Sequence, residues 1–204
     1  MSLVEYAIKA ARAIERAGLK YALVGGLACI LMGVRRMTED ADFIVEVRTL
    51  EDAERLAAEL VREGIPVAER EVRSAYYDRG HFTAVIGGLR LDFKFASTRI
   101  DRETVERAVT VEVMGARLRI ARLEENIAVK LLLLRSLKDL EDALWLMAEH
   151  GAVIDWRRLR SLVGGDPLKL AETLLDDIEA EFRDEEHVLE RVRELRSRLG
   201  AIRP

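Results

Sequence analysis

The chain has 204 residues, half of them hydrophobic, which supplies a sizeable core and excludes a disordered polymer. Its 33 Lys and Arg nearly balance 37 Asp and Glu, and a net charge of −4 excludes a protein that holds duplex DNA by bulk positive charge. A single cysteine, Cys29, excludes an internal disulfide, and no Cys/His cluster has zinc-ligand spacing.

The first residues lack the basic start and apolar run of a secretory signal. The longest uncharged stretch, Tyr21 to Val34, is interrupted by Gly25, Gly26 and Gly33 and is short for a bilayer span. A cytoplasmic protein without membrane association is therefore expected.

In chain order, Val4, Ala7, Ile8, Ala11 and Ile14 lie at helical spacing, predicting a helix over Leu3 to Ala17 that Gly18 stops. Tyr21 to Val24 reads as a buried strand running into a glycine turn, followed by a short helix over Leu27 to Met32. Asp42 to Val47 reads as a strand and Leu50 to Glu63 as an amphipathic helix. Phe82 to Ile86 and Leu89 to Phe95, joined by Gly87-Gly88, form a hairpin pattern. A helix over Ile100 to Arg107 and a second hairpin, Val109 to Val113 with Ala116 to Ala121, complete this half.

From Leu123 onward the period is helical: Glu124 to Leu137, Asp139 to Glu149, Trp156 to Leu162, Leu168 to Phe182 and Glu185 to Leu199. The reading is an α+β protein. A small mixed sheet flanked by helices occupies residues 1–122, and an all-helical C-terminal bundle occupies 123–204.

The chemistry concentrates in Val24-Gly25-Gly26 and in Thr38-Glu39-Asp40-Ala41-Asp42-Phe43, with residues 27–39 between Gly26 and Asp40. Asp40 and Asp42 are two apart at the mouth of a strand, so they project from one face. Carboxylates held that close repel unless a cation lies between them, and a hard divalent ion that also binds phosphate suits the geometry. Asp92, on the polar side of Leu89 to Phe95, completes a three-carboxylate set if its strand lies beside that of Asp42. Taken singly, a Gly-Gly turn, an Asp-x-Asp pair and a strand aspartate are ordinary; their ordered succession points to a site.

Gly25, Gly26, Asp40, Asp42 and Asp92 resemble, position by position, the motif of the DNA polymerase β-type nucleotidyltransferase superfamily. Arg36-x-Thr38-x-Asp40-x-Asp42 and the downstream Lys130, Arg135, Lys138, Asp139 and Asp142 resemble its minimal prokaryotic members, with the AbiEii-type toxins of toxin–antitoxin systems as the nearest branch. The resemblance covers roughly residues 20 to 148. It implies a nucleotidyltransferase core whose catalytic and metal-binding residues are Asp40, Asp42 and Asp92, holding two Mg²⁺ ions, with Mn²⁺ as the alternative. It also implies a nucleotide site that includes Gly25, Gly26, Thr38, Lys130 and Asp139. The partners implied are an NTP, a tRNA 3′ end or protein side chain as acceptor, and a cognate antitoxin.

Lys130 stands in an apolar helix where an unpaired ammonium is costly, so it must reach a partner. Arg135–Asp139 and Lys138–Asp142 have i,i+4 spacing and read as surface ion pairs. His81 is expected in a loop. Cys29, Trp145 and Trp156 read as core, and Arg117, Arg119, Arg122, Arg157, Arg158 and Arg160 as solvated charge with a basic RNA strip as the alternative. Val188, Leu189, Val192 and Leu195 form a stripe that packs on its own domain or joins a second copy into a homo-oligomer. The functional expectation is a metal-dependent enzyme that moves an NMP group from an NTP to a hydroxyl. The alternative is a non-catalytic subunit of the same fold that binds nucleotide or a partner protein.

Overall fold

The computed structural model describes residues 1–134 and 136–203. The protein is an α+β molecule with a six-stranded mixed sheet and a helical C-terminal portion, and its contacts divide it into two compact units. One unit comprises Met1–Leu31 and Arg35–Arg122; the other comprises Met32–Val34 and the chain from Leu123 onward.

The first unit is built on a mixed sheet of β1 (Tyr21–Val24), β2 (Asp40–Val45), β3 (His81–Ile86), β4 (Leu89–Phe95), β5 (Val109–Val113) and β6 (Ala116–Ile120), in the order β3-β4-β2-β1-β6-β5. β2 runs parallel to β4 and β1 parallel to β6, and the remaining neighbours are antiparallel. One face carries Phe43, Phe82 and Phe93, stacked across three strands at centroid spacings of 5.3 and 4.9 Å. Helices α1 (Leu3–Arg16) and α4 (Glu69–Tyr77) pack on the sheet, and α3 (Leu50–Arg62) packs on both of them. Both α1 and α3 begin with capping boxes, Ser2 with Glu5 and Thr49 with Asp52, which satisfy the first free backbone N–H groups. Tyr21, fully buried, accepts a hydrogen bond from Arg119 N at 3.0 Å, and burial pushes its phenol up to about 12.

The other face is covered by α5 (Arg99–Arg107), whose Val105 packs with Ala22, Ile44 and Ala121. Asp101 ties this helix down, accepting from Ser97 N, Thr98 N and Lys94 Nζ at 3.2, 3.0 and 2.7 Å. Burial alone would raise its pKa, but the Lys94 ammonium and the N–H donors outweigh that and hold it below its ordinary 3.8. A depressed carboxylate stabilises the fold above its unfolded-state pKa, and that stability is lost as pH falls through the folded value. Asp101→Asn is expected to lower stability by about 1–2 kcal/mol at neutral pH. It should also flatten the decline in melting temperature below about pH 4. Thermal melts of both proteins from neutral pH down to about pH 3 check this.

The helix α4 is absent from the sequence reading because its pattern is weak. Only Val72 and Ala75 bury, and Ala68 at its N-cap offers no side-chain hydrogen bond. Packing on α3 and β3 sustains it. His81 opens β3 and is exposed, a correction to its expected loop placement. Strand β2 begins two residues earlier than expected, so both Asp40 and Asp42 lie within it.

The second unit contains α6 (Leu123–Val129), a π-helical turn (Lys130–Leu134), α7 (Leu137–His150), α8 (Trp156–Val163), α9 (Pro167–Glu181) and α10 (Glu186–Ala201). Its core gathers Ile127, Leu131, Leu140, Leu144, Met147, Leu159, Leu175 and Val192. Glu124 Oε1 accepts from Asp155 N at 2.7 Å and Glu125 Oε1 from Arg158 at 3.0 Å, which anchors α8. Val188, Val192 and Leu195 are buried as α10 packs on α7 and α9, so these three stripe residues are covered within their own unit, and Leu189 is half-buried. Trp145 and Trp156 are half-buried rather than core; Trp156 Nε1 donates to Gly151 O at 2.9 Å. Cys29 is fully buried. No helix among the described residues is long and apolar enough to cross a membrane.

Candidate active site

The β2–β4 pairing opposes Asp42 to Asp92, and β3 adds Thr83 opposite Asp92. Directly opposed residues of neighbouring strands share a face at about 4.8 Å spacing, so Thr83, Asp92 and Asp42 form one row. Two residues back along β2, Asp40 stands opposite Arg90 on the same face. All three predicted carboxylates are therefore on one side of two adjacent strands, and all are partly accessible.

Each is held by its surroundings. The Thr38 hydroxyl donates to Asp40 Oδ1, and the Thr83 hydroxyl donates to Asp92 Oδ1. Arg90 lies 3.4 Å from Asp92 Oδ1, close enough to offset part of the repulsion between neighbouring carboxylates. Asp42 lies against Gly25, the first residue of α2 (Gly25–Leu31), where φ is +71°. A Cβ at Gly25 would collide with Asp42 Oδ2 and lie 2.9 Å from its Cγ. Only glycine meets both the left-handed backbone and this close approach. Gly26 is less crowded: a Cβ there would sit 2.7 Å from an Arg36 guanidinium nitrogen, the far end of a flexible side chain, and 3.0 Å from Thr38 Oγ1. The glycine pair is thus the opening of α2 rather than a separate turn.

Gly25→Ala is expected to cost about 1–3 kcal/mol from the positive φ and to push the Asp42 carboxylate from its place. A chemical denaturation curve gives the stability cost, and a fall in any Asp42-dependent activity beyond that cost reports the displacement.

Carboxylate and hydroxyl oxygens are the ligand type that a hard divalent cation takes. Among the described residues, no group of three or more His, Cys, Asp and Glu side chains is gathered as a ready ligand cluster. Thr83 and Arg90 are site-lining residues that the sequence reading did not single out. The two-residue Gly87-Gly88 turn pairs Ile86 with Leu89, and counting back from it sets Thr83 against Asp92. That register was available in the sequence.

In the second unit, Lys130 is 2% exposed and its ammonium lies 3.0 Å from Asp139 Oδ1 and 2.7 Å from Asp142 Oδ2. Asp139 is also held by Ser136, whose hydroxyl accepts from Asp139 N at 3.2 Å. Asp142 is fully buried and pairs with Lys130, which corrects its expected surface pairing with Lys138. An i,i+4 spacing describes neighbours on a helix surface, but Asp142 faces the core, where a distant lysine neutralises it. The expected Arg135–Asp139 pair falls on Arg135, outside the described residues. Arg158 is committed to Glu125 and Arg119 to Val105 O, so neither is simply a solvated charge.

Residues 4–194 match a family described as nucleotidyl transferase of unknown function, DUF2204. The chain belongs to this nucleotidyltransferase family. Among solved structures, an antigenic nucleotidyltransferase-like protein from Paracoccidioides brasiliensis is similar to this DUF2204 chain. Its TM-score is 0.51 at 16% identity, over 93% of this chain and 94% of that one. At that identity the likeness shows the fold. The antibiotic-resistance factor ANT(2'')-Ia gives a TM-score of 0.44 at 21% identity, over 93% and 97% of the two chains. A CCA-adding enzyme in complex with ATP gives 0.36 at 15%, over 85% of this chain and 51% of that one. The DUF2204 chain thus spans about half the length of the CCA-adding enzyme. No curated protein matches it in sequence.

Proposed function

We propose that this DUF2204 protein transfers the NMP group of an NTP to an acceptor hydroxyl and releases pyrophosphate. The observation that carries the reading is the β2–β4 register, which sets Asp42 beside Asp92 with Asp40 on the same face. These three carboxylates would hold two Mg²⁺ ions, whose bound charge would polarise the acceptor oxygen and neutralise the triphosphate. Gly25 and Gly26, at the first turn of α2, would bring backbone close to the triphosphate, and Thr38 orients Asp40 beside it. Asp92, oriented by Thr83, faces the acceptor hydroxyl. The acceptor oxygen forms a bond to the α-phosphorus, the bond to the pyrophosphate oxygen breaks, and the hydroxyl proton leaves towards the carboxylate side.

The assignment of Lys130 and Asp139 to the nucleotide rests on the motif resemblance. So do the proposed acceptors, a tRNA 3′ end or a protein side chain, and the proposed place as the toxin of a toxin–antitoxin pair with a cognate antitoxin. The test is incubation with each labelled NTP and Mg²⁺, together with total tRNA or candidate proteins. Label transfer that disappears in Asp40→Ala and Asp42→Ala supports the proposal. No transfer, or transfer indifferent to both substitutions, overturns it. A protein whose melting temperature no Mg²⁺–NTP raises, yet which co-purifies with a partner, is instead a non-catalytic interaction subunit.

A further inference from the structure

We propose that the first unit carries a second binding site, for a nucleoside phosphate, at the end of the sheet opposite the carboxylates. The parallel strands β2 and β4 both finish at a cavity of about 590 Å³, within the range of small-molecule pockets. The crevice beyond the carboxyl ends of neighbouring parallel strands is a recurrent ligand position in open α/β sheets. Asp42 precedes Glu46 by four residues and Asp92 precedes Phe95 by three, roughly 13 and 10 Å of extended chain, so this cavity is separate from the carboxylate row.

Its lining is selective. Arg48, Arg79 and Arg102 converge there with Glu46 as the single carboxylate, an excess of positive charge in a chain of net charge −4. Arg48 is engaged by Glu46 at 2.8 Å, and Arg102 donates to Ser97 O at 3.2 Å. The Arg79 guanidinium has no hydrogen-bond or ion-pair partner among the described residues. Arg79 also adopts φ +49°, just after the α4 C-cap, where Gly80 N donates to Ala75 O at 2.9 Å. Glycine ordinarily takes that left-handed position, and an arginine there carries a backbone cost. A strained residue with an unpartnered cation at a cavity wall is the pattern expected of a ligand contact. Beside it, Tyr77 is 66% exposed and packs edge-on against Tyr76 at 5.5 Å. An exposed ring next to arginines offers stacking for a base and charge-assisted hydrogen bonds for its phosphate. This site stands independently of the function proposed for the carboxylates.

The test is calorimetric titration in EDTA, with 5′-AMP in one arm and a short single-stranded oligoadenylate in the other. Binding of AMP identifies a free nucleotide as ligand; binding of the oligoadenylate alone identifies a nucleotide within an RNA strand. Either binding should persist within twofold in Asp42→Asn and weaken at least tenfold in Arg79→Gly and in Tyr77→Ala. Because glycine relieves the left-handed backbone, Arg79→Gly should melt at the same or a higher temperature, so its loss of binding is not loss of fold. The proposal is overturned if neither probe binds at millimolar concentration, if Arg79→Gly leaves binding unchanged, or if Asp42→Asn removes it.

Discussion

Asp42→Asn is expected to reduce nucleotidyl transfer by about a thousandfold or more, while its melting temperature stays the same or rises. A lost metal-binding carboxylate removes several kcal/mol of transition-state charge stabilisation, and each 1.36 kcal/mol is a factor of ten in rate. Asparagine keeps the shape that fits against Gly25 and removes one of two like charges on adjacent strands. Relief of that repulsion favours the fold of the variant. Thr83→Val provides the graded comparison: it leaves Asp92 in place but removes the hydroxyl that orients it. A loss of about 10- to 100-fold is expected for such a supporting group. Initial rates of pyrophosphate release, with melting curves for each variant, check both. Equal rates for wild type and Asp42→Asn would remove the carboxylate row from the chemistry.

The second large effect lies in stability. Lys130→Met is expected to lower the unfolding free energy of the helical unit by about 3–5 kcal/mol, because it removes the ammonium that lies 2.7 Å from the Asp142 carboxylate in the core. Asp142→Leu alone should cost less, because the ammonium keeps Asp139 at 3.0 Å. The pair Lys130→Met/Asp142→Leu should recover most of the loss, since an apolar replacement of a buried ion pair is often nearly neutral. Both tryptophans, Trp145 and Trp156, belong to this unit, so urea titration followed by tryptophan fluorescence reads the effect directly. Additive losses in the double variant would show that Lys130 and Asp142 do not depend on each other. Lys130 begins a π-helical turn, where the helix widens by one residue. Its burial between two carboxylates accounts for a lysine within an apolar run without invoking any ligand.

The sequence by itself determined whatever depends on local periodicity and turn chemistry. Alternating apolar residues in Leu89 to Phe95 place Asp92 on the polar face, and Gly87-Gly88 set its register against Thr83. Capping boxes at Ser2 and Thr49 mark helix starts for the same local reason. The spacing of Asp40 and Asp42 puts both on one face of β2 whatever the rest of the chain does. Contacts between distant segments were not legible in this way. That β2 and β4 are parallel neighbours, and so bring Asp42 beside Asp92, follows from how α3, α4 and β3 carry the chain between them. The helix α4 itself is too weakly patterned to stand without its packing, and it brings Arg79 to the cavity beyond β2 and β4. Asp142 looked like one half of a surface pair because spacing gives neighbours along a helix but not which side of the helix is buried. Which carboxylates meet, and which lysine is buried between two of them, was decided by tertiary packing. Desolvation and close approach act between residues that the chain order leaves far apart.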